Sequence, residues 1–289
     1  MKKSLSIIAL FLFIGAQSHA QKQMIFKMLV KPNYHYDMVM NMNMNMEMNI
    51  SGDSATINQI KSGQSFPMIM NAQSAVNGDI KTGLVNAVNK IPFTMTMKTL
   101  ASKMNINGKE NPMPVPATST VMYGTYTADG KMNLDSIAGT KATDEIKNSM
   151  TTTIKGIQAI VKFPEKPMKI GDSFTQDTPM DLPIADMQLK LISKTTYKLT
   201  AIEDNIAYFD AVYDITMDVA GNAAGMAMAM NMTGDGDGKL VFDIKANYPT
   251  SIKKNMNINY NMTMPQAAGV KMDGKMKMLM DMKTTISSK

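Results

Sequence analysis

Methionine stands at every second position from Met38 to Met48, with Val39, Asn41, Asn43, Asn45 and Glu47 between. Successive side chains of a β-strand point to opposite faces, so this run is apolar on one face and wet on the other. A helix would spread the same residues around its whole surface. The pattern recurs: Met256, Ile258, Tyr260, Met262 and Met264 alternate with polar residues, as do Met272, Met276, Met278, Met280 and Met282. With 34 methionines in 289 residues, the chain is expected to be mainly β, with a soft, sulfur-rich apolar face.

The first twenty residues read as a secretory signal peptide. Met1-Lys2-Lys3 is the positive start, Leu5 to Ile14 the short apolar run, and Ser18-His19-Ala20 the small-residue cleavage site before Gln21. The expected mature protein is exported, periplasmic or extracellular, and soluble. No stretch is long and apolar enough for a transmembrane helix. Cysteine is absent, which removes disulfides and the thiol that a bacterial lipid anchor needs. All thirty basic residues are lysine. Arginine, the usual residue for bidentate phosphate and base-edge contacts, is missing, so nucleic acid is not an expected partner.

Residues 21–289 read as a single β-rich domain, with a weak internal duplication suggested by halves of about 21–142 and 143–289. Candidate strands in the first half are 24–30, 34–50, 54–60, 93–106 and 118–127. Val76, Ile80, Leu84, Ala87 and Val88 recur at helical spacing and predict a helix over 73–89. Ile146, Met150, Ile154, Ile157 and Val161 predict a second over 143–161, with Asp144 and Glu145 at its positive start. In the second half, Met187 to Leu199 and Phe209 to Val219 form a strand pair joined at Glu203-Asp204-Asn205. Met226, Met228, Met230, Met232, Gly234, Gly236, Gly238, Leu240, Phe242 and Ile244 share one parity. They predict one very long strand that bends at its glycines; a hairpin through the Gly-Asp repeat is the competing reading. The expected architecture is a large curved antiparallel sheet, or open half-barrel, covered by about two helices.

Phe163-Pro164-Glu165-Lys166-Pro167, followed by Lys169-Ile170-Gly171-Asp172-Ser173-Phe174, resembles the FPEKPxKxGDSW signature of an uncharacterised secreted domain family of the Bacteroidota type. Phe174 stands where that family usually has Trp. The Gly-x-Gly-x-Gly stretch before Val241-Phe242-Asp243 also resembles it. The resemblance implies an exported β-rich protein and carries over no catalytic residue.

Catalytic chemistry has little to work with. Only His35 remains after signal removal, so Ser-His or Cys-His triads and zinc sites built on Cys or paired His are not expected. Ser251 and Lys254 have a Ser-Lys spacing that needs a helix, in a segment that reads as a strand. Gly269 to Lys275 has the spacing of a phosphate loop but Met276 in place of the hydroxyl residue, and reads as a turn. Asp235 and Asp237 open like a calcium loop, which Lys239 then breaks. The chain is therefore expected to be non-enzymatic and to need no cofactor.

The leading functional expectation is the binding of an apolar small molecule or lipid on the Met-rich face. Met40, Met42, Met44, Met46, Met228, Met230, Met278 and Met280 are its candidate lining. A structural role, contacting an envelope protein without any ligand, is the second reading. The third is a Cu(I) site built from the thioethers of Met226, Met228, Met230, Met232, Met276, Met278, Met280 and Met282. Packing as an ordinary apolar face is the simpler account of those sulfurs, because the alternation extends over far more segments than one metal needs.

Overall fold

Long alternating runs pair best with other long alternating runs, because each residue pair then keeps the apolar set on one face. The computed structural model realises this as one antiparallel sheet of twelve strands. It describes residues 23–63, 65–111, 119–138, 161–184, 187–223, 226–264 and 270–288. The strands are β1 (Tyr34–Ser51), β2 (Met68–Thr82), β3 (Ile91–Ile106), β4 (Lys109–Asn111), β5 (Thr120–Tyr126), β6 (Met132–Ile137), β7 (Ser173–Ile184), β8 (Met187–Glu203), β9 (Ile206–Ala223), β10 (Met226–Asp243), β11 (Tyr248–Met264) and β12 (Val270–Ser288). Their order across the sheet is β6-β5-β3-β2-β1-β12-β11-β10-β9-β8-β7, with β4 paired to β3 outside that path.

Sequence neighbours therefore pair into two meanders, one running from β1 out to β6 and the other from β12 back to β7. They join where β1 pairs with β12 along its whole length, from Tyr34 opposite Ser288 to Ser51 opposite Lys271. Tight turns with left-handed residues set the register. Asp204 and Asn205, at φ 47° and 66°, close β8 onto β9, and Asn107 with Gly108, at φ 50° and 80°, close β3 onto β4. Both have the two positive φ values that match strand twist in a two-residue hairpin loop. Strand β10 runs unbroken through the Gly-Asp repeat, so the single-strand reading of that segment holds over the hairpin.

The sheet remains open. Its outermost strands nevertheless line one cleft, with Gln176, Asp177 and Thr178 of β7 on one side and Tyr126 of β5 and Met132 of β6 on the other. The sheet must curl for its two ends to meet there.

Four sequence expectations are corrected. The segment 73–89 is not a helix: residues to Thr82 belong to β2, and 83–90 form the loop to β3. Val76 and Ile80 are four apart, a spacing that puts residues on one side of a strand as well as of a helix. Gly78 between them hid the alternation, and the Met38 side chain lies where a β-carbon at that glycine would project. Conversely, 54–60 is not a strand but part of the helix α1 (Ser54–Gly63). Asp53 caps it, its carboxylate accepting from the Thr56 backbone N–H at 3.1 Å and hydroxyl at 3.2 Å. Ile57 and Ile60 of α1 then pack on Ile50, Val270 and Met272, covering one end of the apolar face. The segment 24–30 is not a strand: Met24 forms an isolated bridge with Met168, and the Leu29 backbone N–H donates to the Asn247 carbonyl at 2.9 Å. Residues 1–20 and the expected helix over 143–161, apart from Val161, lie outside the described residues. The Gly269–Lys275 motif is no turn from Val270 onward, because that part belongs to β12.

Candidate functional site

Because β10, β11, β12, β1, β2 and β3 pair in phase, their same-face residues line up in rows across the sheet. One row is Gly234, Ile258, Met276, Met46, Met70 and Ile106; the next is Gly236, Met256, Met278, Met44, Ala72 and Met104. After it come Gly238, Lys254, Met280, Met42, Ser74 and Ser102, then Leu240, Ile252, Met282 and Met40. The opposite face carries the complementary set, with Asn45 beside Lys277 and Asn71, and Asn257 beside Asp235 and Lys277.

The apolar face is packed at one end. Leu240, Ile252 and Met282 are buried there under a cluster that includes Phe26, Val161, Phe163 and Met168. Phe163 touches the rings of Phe26, Phe209 and Phe242 at centroid distances of 5.3, 5.5 and 4.9 Å. Phe174 stacks on Tyr197 at 5.1 Å. Between these aromatics the chain turns at Gly171, φ 96°, where the Asp172 carboxylate accepts from the Lys169 backbone N–H at 3.0 Å. The residues of the Phe163–Phe174 segment thus serve as a lid on this end of the sheet.

Away from that lid the methionines of β1 and β12 are less buried, whereas Met256 and Ile258 of β11 in the same rows remain buried. Met42, Met44, Met46, Met276, Met278 and Met280 are neither fully buried nor fully exposed, and Met40 and Met230 are likewise part-buried. Neighbouring sulfur side chains meet directly across β1 and β12, as Met42 with Met280, Met44 with Met278 and Met46 with Met276. The sequence-derived lining residues Met40 to Met46 and Met278 to Met280 are therefore brought together. Met230 lies two strands from β12 and in another row, opposite Met262. Met228 and Met226 belong to β10 opposite Gly221 and Ala223, further still along the strand. The two copper candidates are accordingly separate: Met276 to Met282 share rows with Gly234 to Leu240, and not with Met226 to Met232.

One residue of this face entered the sequence reading only through its spacing from Ser251, and not as part of the face. Lys254 shares the parity of Ile252 and Met256, and in those rows it is the one charged side chain among the described residues. It is part-buried, and its ammonium lies 5.2 Å from the centre of the Tyr213 ring. Burial holds it below the ordinary lysine pKa. The Tyr213 hydroxyl shares a hydrogen bond with Tyr197, whose own pKa burial pushes up to about 12. The signal was a lysine at a methionine's phase of the alternation. Ser251, by contrast, points to the opposite face, which dissolves the Ser-Lys pairing.

The glycines explain how these groups meet. Gly238 is directly opposite Lys254, and a β-carbon built there would fall 2.9 Å from the Tyr213 ring. Gly274 is likewise covered by Tyr260, its direct cross-strand partner, and Gly124 by Phe93. Large rings on one strand thus fill the space over bare glycine on the next.

The cleft between the sheet ends has a volume of about 790 Å³, within the range of small-molecule sites. Phe26, Met28, Phe163, Tyr126 and Tyr248 line it together with Lys27, Lys131 and Lys162. The buried phenol of Tyr126 is raised well above its ordinary pKa by burial and by the nearby Tyr248 and Tyr36. On the polar face His35 contacts Asp79, which Lys81 also reaches at 3.2 Å. Burial alone would raise the Asp79 carboxyl, but hydrogen bonds from His35 and Lys81 outweigh it and hold the pKa low. Asp237 accepts from the Asn255 amide at 3.1 Å. Among the described residues no group of three His, Asp or Glu is placed to hold a metal ion, and no helix is long and apolar enough to cross a membrane.

A model for a family of unknown function, DUF6263, matches residues 33–249. The chain belongs to that family. The matched range runs from the turn before β1 into the start of β11, and so takes in the Phe163–Phe174 segment but stops short of Lys254. No curated protein matches the chain. Among solved structures it is similar to the type IV competence pilus secretin PilQ of V. cholerae, at 10% identity and a TM-score of 0.22 over 99% of this chain and 66% of that one. The type II secretin XcpQ of Pseudomonas aeruginosa follows, at 7% identity and 0.15, over 98% and 63%. The chain spans less than two thirds of either secretin. Likeness at that level does not amount to a shared fold.

Proposed function

We propose that this member of the family is an exported, non-enzymatic binding protein whose Met-rich sheet face holds an apolar ligand such as an acyl chain. The observation that carries the reading is the contrast along that face. Its ends are covered, by the Phe26–Phe163 cluster and by α1, while the methionines of β1 and β12 between them stay part-buried beside the buried Met256 and Ile258 of β11. Unbranched thioethers adapt their shape to varied apolar surfaces. Native mass spectrometry of the protein purified from a periplasm tests this. A co-purifying lipid mass is the expected result, and a bare mass that stays bare after incubation with fatty acids and phospholipids overturns it.

A second reading, contact with an envelope surface, is favoured by the β2–β3 loop. Leu84 and Val88 there are 73% and 69% exposed, and Val85 is exposed as well. The loop is nonetheless tied down: the Asn86 backbone N–H donates to Lys90 O at 2.8 Å, and the Asn86 side chain accepts from the Lys90 N–H at 2.9 Å. An ordered loop that turns its aliphatic residues outward, between Lys81 and Lys90, suits an apolar surface bearing negative charge.

A further inference from the structure

Burying a cation without a counter-ion is costly, and folded proteins normally pair such a group or place it in water. Lys254 does neither fully. It stands on the apolar face between Ile252 and Met256, both buried. Its neighbours across the sheet are Gly238 and Met280, with no side chain on one and a thioether on the other. The Tyr213 ring, 5.2 Å away, is the group its charge meets, and a ring face attracts a cation more weakly than a carboxylate does. The other lysines of this stretch, Lys253 and Lys239, face the polar side, where each pairs with an aspartate, Asp281 and Asp210.

Position adds to the argument. Lys254 sits opposite Met280, the residue of β12 at which buried Met282 gives way to the part-buried Met280, Met278 and Met276. From Met280 in its row to Met272 beside α1 is eight residues of β12, a path of about 27 Å at the usual strand rise. That length accommodates an extended long acyl tail. A single ammonium at one end of a long apolar track matches a single negative charge at the end of a long apolar chain.

Resting on the reading of this face as an apolar-ligand site, we propose that Lys254 anchors the head of a single-chain carboxylate amphiphile whose tail lies along the methionine rows. One cation on this face among the described residues, in a chain without arginine, suits a singly charged carboxylate rather than a phosphate dianion. In this arrangement the carboxylate accepts from the Lys254 ammonium, and Tyr213 keeps that ammonium aimed along the face from the far side of Gly238.

The experiment measures binding of dodecanoate, dodecanol and dodecyl phosphate to the full chain and to K254M and K254R variants, by calorimetry below micelle-forming concentrations. The expected result is dodecanoate binding about tenfold tighter than dodecanol, the size of one charge-assisted hydrogen bond. K254M should bind acid and alcohol alike, and K254R should keep the preference. Equal binding of acid and alcohol by the unaltered chain, or a preference that survives in K254M, overturns the anchor while leaving the apolar site standing. Tighter binding of dodecyl phosphate than of dodecanoate overturns the carboxylate assignment. Failure of all three to bind overturns the apolar-ligand reading itself, and the anchor with it.

Discussion

The Lys254 ammonium and the Tyr213 ring meet over the bare backbone of Gly238. A charge has thus been placed in rows of the sheet face that, among the described residues, otherwise carry none. If that placement serves binding, it should cost stability. Exchanging Lys254 for Met puts a thioether where the neighbouring rows already carry one. The expected gain is about 1 kcal/mol, because a poorly paired cation no longer has to be desolvated. The pH dependence carries a sign. A lysine whose pKa is lowered by folding takes up a proton on unfolding between that lowered value and the ordinary 10.5. The stability of the unaltered chain therefore rises as pH climbs through that window, and this contribution is flat below it, where both states hold the proton. K254M should lack that rise; urea titrations at several alkaline pH values measure it.

Glycine and ring are a matched pair at Gly274 and Tyr260. A β-carbon at Gly274 would collide with the Tyr260 ring and with the Glu47 carbonyl. Gly274→Ala should destabilise by about 1–3 kcal/mol, as overpacking does. Gly108→Ala is not a fair control, since Gly108 has φ 80°; Gly63, which has open space around it, is. A midpoint for Gly274→Ala within error of Gly63→Ala would show the contact to be slack.

The methionine rows should tolerate leucine. Met44 and Met278 face each other across β1 and β12, and exchanging either for Leu keeps volume and apolarity, at a cost under about 1.5 kcal/mol. The same variants bear on copper. Cu(I) titrated against a competing chelator should bind weakly and equally to the unaltered chain and to one with Met226 to Met232 and Met276 to Met282 changed to Leu. Tight binding lost in the variant would instead establish a thioether site.

At the β2–β3 loop, Leu84→Ser with Val88→Ser should leave the unfolding midpoint unchanged, since neither side chain is buried. If the loop seats on a charged apolar surface, sedimentation with vesicles containing anionic lipid should fall several-fold in the double variant. No sedimentation of the unaltered chain would remove the second functional reading.

Strand composition was legible wherever alternation was long. The run from Met38 to Met48 predicts β1, and the C-terminal runs predict β9 to β12, because a period of two sustained over many residues fits no other element. Legibility failed where a short segment satisfied two periods at once. Val76 and Ile80 suited helix and strand alike, and only the distant Met38 filling the space at Gly78 settles the choice. At 54–60 the capping Asp53 outweighed a brief strand-like alternation. The site was half legible. The lining methionines could be named from their parity, but which of them share a row depends on strand order, and β1 beside β12 is a pairing across most of the chain. Lys254 could have been found by asking which charge falls in phase with the methionines.

That same β1–β12 pairing has a mechanical consequence. Tyr34 and Ser288 face each other at one end of the ladder, and Ser51 and Lys271 at the other. Tension applied between residues 34 and 288 therefore loads one residue pair at a time, peeling the seam like a zipper instead of shearing all its hydrogen bonds together. Each meander on either side is held by pairings between strands close in sequence. The molecule is built to part down its middle under modest force, along the line where methionine faces methionine.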